Sequence, residues 1–253
     1  MFFQIASDFH IEKEDNDNVD INKYIKPICP YLILAGDVGS LYRYNQLVDF
    51  FKQLCEKFEY IIYVPGNHEF YTRQGTPGIP MYQLFHKLKL LEDAFDNLYI
   101  LNREILKIGN YCFIGCILWS NCPEDKEFPK FRVKIHALSK TKYNRFNQGD
   151  IQFLKDSIKQ SHSENLKPIV ITHYPPTKML LNKKCRTDEY NYLYYNNLDH
   201  MLSKTIVNIW ICGHVHWSFD FLSENDTRLI GNQKGKNEDT ENKYSPEYYI
   251  QLI

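Results

Sequence analysis

No long apolar stretch and no concentrated positive charge occur in this sequence. Its longest apolar segments run for five to eight residues, whereas a helix that crosses a bilayer needs roughly 20. The formal net charge is −1, and no run of five or more basic residues is present. Composition therefore gives no support for a nucleic-acid partner or an anionic membrane. The first residues, MFFQIASDFH, lack the basic segment of a secretory signal, so we expect none.

The cysteines lack the spacing of a metal or disulfide framework. There are seven, an odd number without a C-x-x-C pair. Several lie in or beside apolar runs, where cysteine usually behaves as a small hydrophobic residue. We therefore predict a reducing intracellular compartment, the cytoplasm, rather than a disulfide scaffold or a zinc ribbon.

Short apolar runs alternate with amphipathic stretches along the chain. The 253 residues, 43% of them hydrophobic, suffice for one large domain with a buried core. Helical spacing predicts helices at LVDFFKQLCEKF, MYQLFHKLKLLEDAF, FNQGDIQFLKDSIKQ, VDINKYIKPI and YNYLYYNNLDHMLSK. Buried strands are predicted at FFQIAS, YLILAG, YIIYV, PIVITH and IVNIWICGH.

Shorter strands are predicted in the remaining segments. LYILN, EILKIG and YCFIGCIL predict a meander, while WSFDFLS, TRLIG and YYIQLI predict further strands around a polar loop at 232–247. Residues 120–146 have no clear period and form an irregular excursion, either a lid over a site or a long surface loop. The pattern favours mixed α/β layers in a single domain, residues 1–253.

Polar side chains follow the five strongest strands at the point where each strand ends. They are Asp8 and His10, Asp37, Asn67 to Glu69, His173, and His214 with His216. One such residue alone is usually a cap or a turn residue. Because ligand sites in open α/β sheets lie outside the carboxyl ends of the strands, we expect these five groups to share one site.

The residue types at these strand ends indicate a metal site. Their mixed oxygen and nitrogen ligands suit divalent ions, manganese first, with iron, zinc, nickel or cobalt as alternatives. Seven ligands are too many for one ion that must keep a water, so they predict two ions that share a bridging carboxylate. The seven are Asp8, His10, Asp37, Asn67, His173, His214 and His216.

These motifs, taken in order, resemble those of the calcineurin-like metallophosphoesterase superfamily, in particular its small, bacterial-type members. They are D-x-H at 8–10, G-D at 36–37, G-N-H-E at 66–69, a lone histidine at 173 and G-H-x-H at 213–216. Each motif is weak alone, whereas five in this order are specific. The resemblance implies a four-layer α/β fold, a β-sandwich of two mixed sheets flanked by α-helices.

The resemblance also implies a role for each site residue. The first ion would be held by Asp8, His10 and His216, the second by Asn67, His173 and His214, with Asp37 as the bridge. His68 would bind no metal and would protonate the leaving oxygen as a general acid, while a metal-bridging hydroxide attacks phosphorus in line. Glu69 has no direct role in this scheme. It either orients a neighbour or is a cap or surface carboxylate.

Two departures from the protein serine/threonine phosphatases narrow the class. GDVGSLYR replaces their G-D-x-x-D-R-G, and Ile11 replaces the glycine that follows their D-x-H. We therefore expect a metal-dependent hydrolase of a small phosphomonoester or phosphodiester, with Arg228, Arg132 and Lys234 as candidate phosphate contacts. The alternatives are a non-catalytic metal-binding interaction scaffold of the same fold and another kind of binuclear hydrolase. Oligomeric state is left open.

Overall fold

Two β-sheets that face each other form the centre of the protein. The computed structural model describes residues 1–236 and 242–252. Of the polar loop predicted at 232–247, residues 237–241 lie outside the described residues. Within the described part, no helix is both long and apolar enough to cross a membrane.

The first sheet joins the N-terminal strands to the C-terminal one. Its five strands have the order β11-β1-β2-β3-β4, in which β1 to β4 are parallel and β11 is antiparallel to β1. The bounds are Phe2–Ala6 (β1), Tyr31–Ala35 (β2), Tyr60–Val64 (β3), Leu98–Ile100 (β4) and Tyr249–Gln251 (β11). The parallel pairing brings the carboxyl ends of β1, β2 and β3 to one edge.

The second sheet has six strands in the order β5-β6-β7-β8-β10-β9. Strands β6, β7, β8 and β10 are parallel, and the antiparallel strands β5 and β9 form the two edges. The bounds are Glu104–Ile108 (β5), Tyr111–Cys116 (β6), Lys167–Thr172 (β7), Ile209–Ile211 (β8), Phe219–Leu222 (β9) and Arg228–Gly231 (β10).

A buried apolar layer joins the two sheets. One buried cluster contains residues of both, including Phe3 of β1 and Phe113 of β6, whose rings lie 5.2 Å apart. Gly115 lets the sheets approach closely, because a methyl group there would lie 2.9 Å from Val64 of the opposite sheet. Alternate residues of the same strands face outward and join a larger buried cluster with the helices.

Helices cover the outer faces of the sandwich. Their bounds are Tyr44–Cys55 (α1), Met81–Asp93 (α2), Lys140–Ser163 (α3) and Lys183–Thr187 (α4). Helix α1 turns an apolar face inward, with Phe51 5.0 Å from the ring of Tyr63 on β3, and α3 packs on β6 and β7. The expected β-sandwich of two mixed sheets flanked by helices is therefore confirmed.

Four local predictions were wrong, two of them predicted helices. VDINKYIKPI and YNYLYYNNLDHMLSK form no α-helix, only single 3-10 turns at Ile21–Lys23, Asn191–Leu193 and Asp199–Met201. In the second segment, the backbone N–H groups of Asn196 and Leu198 donate to the carbonyls of Pro175 and Pro176, which lie outside the segment, and so cannot form helical hydrogen bonds.

The other two corrections concern the meander and the excursion. The meander is split, because β4 pairs with β3 in the first sheet while β5 and β6 form a hairpin in the second. The irregular excursion ends earlier than residue 146, because Ser139 caps α3 by accepting a hydrogen bond from the Lys142 backbone N–H.

Candidate metal centre

The carboxyl ends of five parallel strands from both sheets deliver the predicted ligands. Asp8 and His10 follow β1, Asp37 follows β2, Asn67 follows β3, His173 follows β7, and His214 with His216 follow β8. Contacts between side chains of the first sheet and those of the second show that the two strand edges meet in one cluster. All seven predicted ligands belong to it.

The backbone at this cluster is unusual. Five of the seven residues adopt a left-handed conformation with positive φ: Asp8 (58°), His10 (53°), Asp37 (52°), His214 (77°) and His216 (54°). Such a conformation is uncommon for residues other than glycine and persists only where surrounding contacts enforce it. The strand ends are therefore bent so that consecutive side chains point toward one place.

Glycine precedes several of the ligands because the chains approach too closely for a side chain. A methyl group on Gly66 would lie 2.3 Å from Asp37 Oδ1. One on Gly213 would lie 2.6 Å from the Ala35 carbonyl and 2.7 Å from Asp8 Oδ2. The glycines of G-N-H and G-H-x-H thus leave room for the carboxylates of Asp37 and Asp8.

A first group of donor atoms comes from Asp8, His10 and His216. The Nε2 atoms of His10 and His216 lie 3.0 Å apart, and His216 Nε2 is 3.6 Å from Asp8 Oδ1. Asp8 is fully buried, accepts a hydrogen bond of 2.5 Å from the Ser7 hydroxyl, and accepts another of 3.0 Å from the His214 backbone N–H. These bonds fix the carboxylate against the two imidazoles.

A second group comes from Asn67, His173 and His214. His173 Nε2 lies 2.9 Å from Asn67 Oδ1 and 3.3 Å from His214 Nδ1. The other ring nitrogen of His173, Nδ1, donates to the Ala35 carbonyl at 2.8 Å. Because that bond requires a proton on Nδ1, the neutral ring presents the Nε2 lone pair to the group.

Asp37 lies between the two groups. Its Oδ1 is 3.3 Å from His173 Nε2, and its Oδ2 is 3.9 Å from His10 Nε2. Oδ1 also accepts a hydrogen bond of 2.8 Å from the His68 backbone N–H. Burial opposes ionisation, but the charges of His173 and His68 outweigh it and hold the pKa of Asp37 well below its usual range.

The protonation of the histidines is compatible with cations at this place. Burial lowers the pKa of His10 and, together with repulsion from His173, lowers that of His214, which favours the neutral form that binds metals. Burial also opposes protonation of His173, but Asp37 raises its pKa to about 9, so a cation would displace a proton there. Lone pairs and carboxylates that converge at these short distances fit two divalent ions.

His68 lies at the rim of the cluster rather than within it. Its side chain is 27% exposed, whereas those of His10 and Asp37 are 2% exposed, and its ring makes an edge contact with His10 at 4.4 Å. Burial opposes its protonation, but Asp37 and Glu12 outweigh this and raise the pKa of His68. His68 Nδ1 lies 3.0 Å from Glu12 Oε1.

Glu69, whose role the sequence did not decide, is not a carboxylate at the surface. It is fully buried, and its carboxylate accepts hydrogen bonds from the Tyr63 hydroxyl (2.6 Å) and from the backbone N–H groups of Asp37 (3.2 Å), Val38 (2.8 Å), Gly39 (3.4 Å) and Gly66 (2.8 Å). Burial and the charge of Asp37 raise its pKa to about 7. Glu69 ties the turn after β2 to the turn after β3.

The three cations expected to contact phosphate have different surroundings. The guanidinium of Arg228 is held by two hydrogen bonds to Asp220, at 2.8 and 2.7 Å. Arg132 pairs with Asp188 at 3.3 Å. The Nζ of Lys234 lies 5.0 Å from the ring centroid of Tyr24, in a cavity of about 370 Å³ that His10 also lines.

Sequence reasoning missed Glu12, the carboxylate that contacts both His10 and His68. It lies two residues beyond the D-x-H motif, in a single 3-10 turn at Ile11–Lys13. The proximity of an acidic residue to the first motif was the available signal, but nothing in the sequence linked it to a histidine 56 positions away.

A match along the chain to a known protein family accompanies this fold and this cluster. The sequence profile of the calcineurin-like phosphoesterase family matches residues 3–218, which is most of the chain. The chain belongs to this family.

Individual proteins are similar to this chain over most of its length. A protein of Acanthamoeba polyphaga mimivirus is 29% identical over 276 residues, which cover 98% of this chain and 95% of that protein. Phosphopantetheinyl hydrolase from Mycobacterium tuberculosis is similar in structure, with a TM-score of 0.69, 17% identity, and coverage of 99% of this chain and 95% of that one. A dimetal phosphatase from Danio rerio gives a TM-score of 0.51, 14% identity, and coverage of 91% and 86%. At these identities the solved structures bear on the fold alone.

Proposed function

We propose that this protein hydrolyses a small phosphomonoester or phosphodiester with the help of two divalent metal ions. The observation that supports this most strongly is the position of Asp37, whose two carboxylate oxygens face the two separate donor groups. A carboxylate in this position could bridge two metal ions. Pairs of metal ions are common in enzymes that catalyse displacement reactions at phosphorus.

Each ion has its own set of proposed ligands. Asp8, His10 and His216 would hold the first, and Asn67, His173 and His214 the second, with Asp37 shared. Manganese is the first choice, with iron, zinc, nickel or cobalt as alternatives that this mixture of oxygen and nitrogen ligands also suits. When bound, the two ions would lower the pKa of a water and offset the charge that develops on the phosphoryl oxygens.

His68 would supply the proton that the leaving oxygen needs. Its ring is partly exposed, as a group that meets substrate must be, and its Nδ1 is engaged by Glu12. The opposite nitrogen, Nε2, would therefore face the substrate. An imidazole suits this task because its proton affinity lies near neutrality.

Phosphate contacts beyond the metals remain proposals. Among the three predicted cations, Lys234 has the strongest support, because it shares a cavity with His10. Arg132 approaches the cluster indirectly, since its partner Asp188 also accepts a hydrogen bond from Tyr194, whose ring lies 5.7 Å from that of His214. Arg228 would first have to release Asp220.

The decisive experiment compares substrates on protein stripped of metal and reloaded with manganese. We expect turnover of p-nitrophenyl phosphate or bis-p-nitrophenyl phosphate, but none of a lactam or an amide. Turnover of the lactam instead would assign the site to another binuclear hydrolase. Two bound metals without turnover of any ester would favour the non-catalytic scaffold and contradict the proposal.

Removal of the proposed bridge tests the metal assignment separately. Asp37→Ala should lower metal content and activity together, because both ions share this carboxylate. The metal content of the purified variant provides the measurement. If Asp37→Ala retains two metals per chain, the bridging role is wrong.

A further inference from the structure

One carboxylate oxygen contacts two histidines with different proposed tasks. Glu12 Oε1 lies 3.0 Å from His68 Nδ1 and 3.3 Å from His10 Nδ1. An ionised carboxylate can only accept hydrogen bonds, so both Nδ1 atoms must carry the proton in these contacts. The Nε2 atom of each ring is thereby left for another partner, and for His10 that partner lies toward His216.

The Glu12 side chain is held in place by its surroundings. It is 16% exposed, and its second oxygen, Oε2, is buried without a hydrogen-bond partner among the described residues. A buried carboxylate oxygen without a partner is costly. The position is therefore maintained by the contacts that Oε1 makes with the two imidazoles.

The backbone of the same segment is fixed from a neighbouring element. Arg43 Nη1 donates to the carbonyls of Glu12 (2.9 Å) and Glu14 (2.5 Å). Gln46, at the start of α1, donates to the Ile11 carbonyl at 3.0 Å. The turn that carries Glu12 is thus anchored on both sides, which limits how far the carboxylate can move away from His68.

We propose that Glu12 is the positioning residue for His68, and that the same oxygen orients His10. It holds both rings with the proton on Nδ1, so that Nε2 of His68 faces the substrate while Nε2 of His10 faces the first donor group. One side chain thereby aligns the proposed proton donor with a proposed metal ligand. This inference rests on the proposed function.

The kinetic test compares phosphate esters whose leaving groups differ in how much they depend on protonation by a general acid. Glu12→Ala should lower kcat for phenyl phosphate by about 10- to 100-fold, the usual range for a group that orients another. The loss for p-nitrophenyl phosphate, whose leaving group hardly needs a proton, should be several-fold smaller. Glu12→Gln keeps an oxygen that can accept both bonds and should lose less than Glu12→Ala. Equal losses for both esters, or for both variants, would overturn the positioning role.

A double variant and a neighbouring control separate positioning from general damage. Adding Glu12→Ala to His68→Ala should lower kcat by a smaller factor than Glu12→Ala does alone, because the part of the Glu12 effect that acts through His68 is already lost. Independent, multiplicative losses would contradict the proposal. Glu14→Gln, in the same segment, should leave the ester preference unchanged, because Glu14 contacts Tyr24 rather than either histidine.

A spectroscopic readout keeps the inference testable even if no ester is turned over. In metal-free protein, the ¹⁵N chemical shifts of His68 should show a protonated Nδ1, and that signature should weaken in Glu12→Ala. An unprotonated Nδ1 in the unmodified protein would overturn the inference whatever the activity. A protein that hydrolyses no ester but shows the expected Nδ1 signature would instead refute the proposed function and leave the contact intact.

Discussion

The buried Glu69 carboxylate allows the sharpest test of how the site is built. Its Oε1 accepts from the backbone N–H groups of Val38 and Gly39, and its Oε2 accepts from those of Asp37 and Gly66. In Glu69→Gln, one oxygen is replaced by an NH₂ group that cannot accept a hydrogen bond. Whichever way the amide turns, two backbone N–H groups lose their acceptor.

The structure gives the size of the expected effect. Each buried donor left without a partner costs about 1–3 kcal/mol, so Glu69→Gln should lower the free energy of unfolding by about 2–6 kcal/mol. In a chain of this size, 1 kcal/mol shifts Tm by about 2–4 °C. A loss in the middle of the range therefore predicts a Tm lower by about 10 °C. Metal affinity should fall as well, by about 10- to 100-fold, because the turn that carries Asp37 loses its support.

Thermal unfolding of metal-free and metal-loaded protein measures both effects. Glu59→Gln is a suitable control, because Glu59 is exposed and directly precedes β3 at the end away from the site. It should change the free energy of unfolding by no more than about 0.5 kcal/mol. If Glu69→Gln unfolds within about 1 °C of the unmodified protein and the Glu59→Gln control, Glu69 does not hold the two turns together.

Three further changes test other parts of the account. His68→Ala should leave metal content nearly intact but lower turnover of phenyl phosphate far more than that of p-nitrophenyl phosphate. An equal loss for the two esters would contradict the proposed role of His68 as general acid. Gly66→Ala places a methyl 2.3 Å from Asp37 Oδ1 and should weaken metal binding by about tenfold or more, whereas Gly75→Ala, which strains its own turn (φ 78°) but meets no atom within 4 Å, should not. Burial raises the pKa of Asp150 to about 6 from 3.8, so the stability it contributes is present below pH 3.8 and lost as the pH rises through 6. Asp150→Asn should then gain about 3 kcal/mol relative to the unmodified protein between pH 3.5 and 7, and urea unfolding that shows no such change would contradict the shift.

The strands and their polar ends were predictable because they depend on short-range patterns. Apolar runs such as YLILAG and PIVITH are long enough to identify buried strands. The polar residue at the end of each such strand can then be read directly from the sequence. Helices α1 and α2 carry clear periodicity and occur where it predicts them. These features need no knowledge of distant contacts.

The failures have a common cause in long-range contacts. Asn196 and Leu198 lie in a segment with helical spacing, but their backbone N–H groups donate to the distant carbonyls of Pro175 and Pro176. Strand β4 looks like part of a meander, yet its register with Ile61 to Tyr63 places it in the other sheet. Local spacing carries no information on such partners.

The residues of the candidate site likewise fall into those that local sequence predicts and those that it does not. Its proposed ligands were visible because each lies within five residues of the end of a strong strand, and the structure brings all seven together. The residues that support these ligands could not be predicted. Glu69 resembles any acidic turn residue in sequence, and the role of Glu12 is recognised only from its contact with His68. Supporting groups are recognised from geometry rather than from residue type.

The most direct test of the central claim is a manganese titration of metal-free protein, followed by turnover of bis-p-nitrophenyl phosphate and p-nitrophenyl phosphate. Activity should reach its plateau at two equivalents of manganese per chain and should be absent in Asp37→Ala. Full activity at one equivalent, or no turnover of either ester with two ions bound, would contradict this claim.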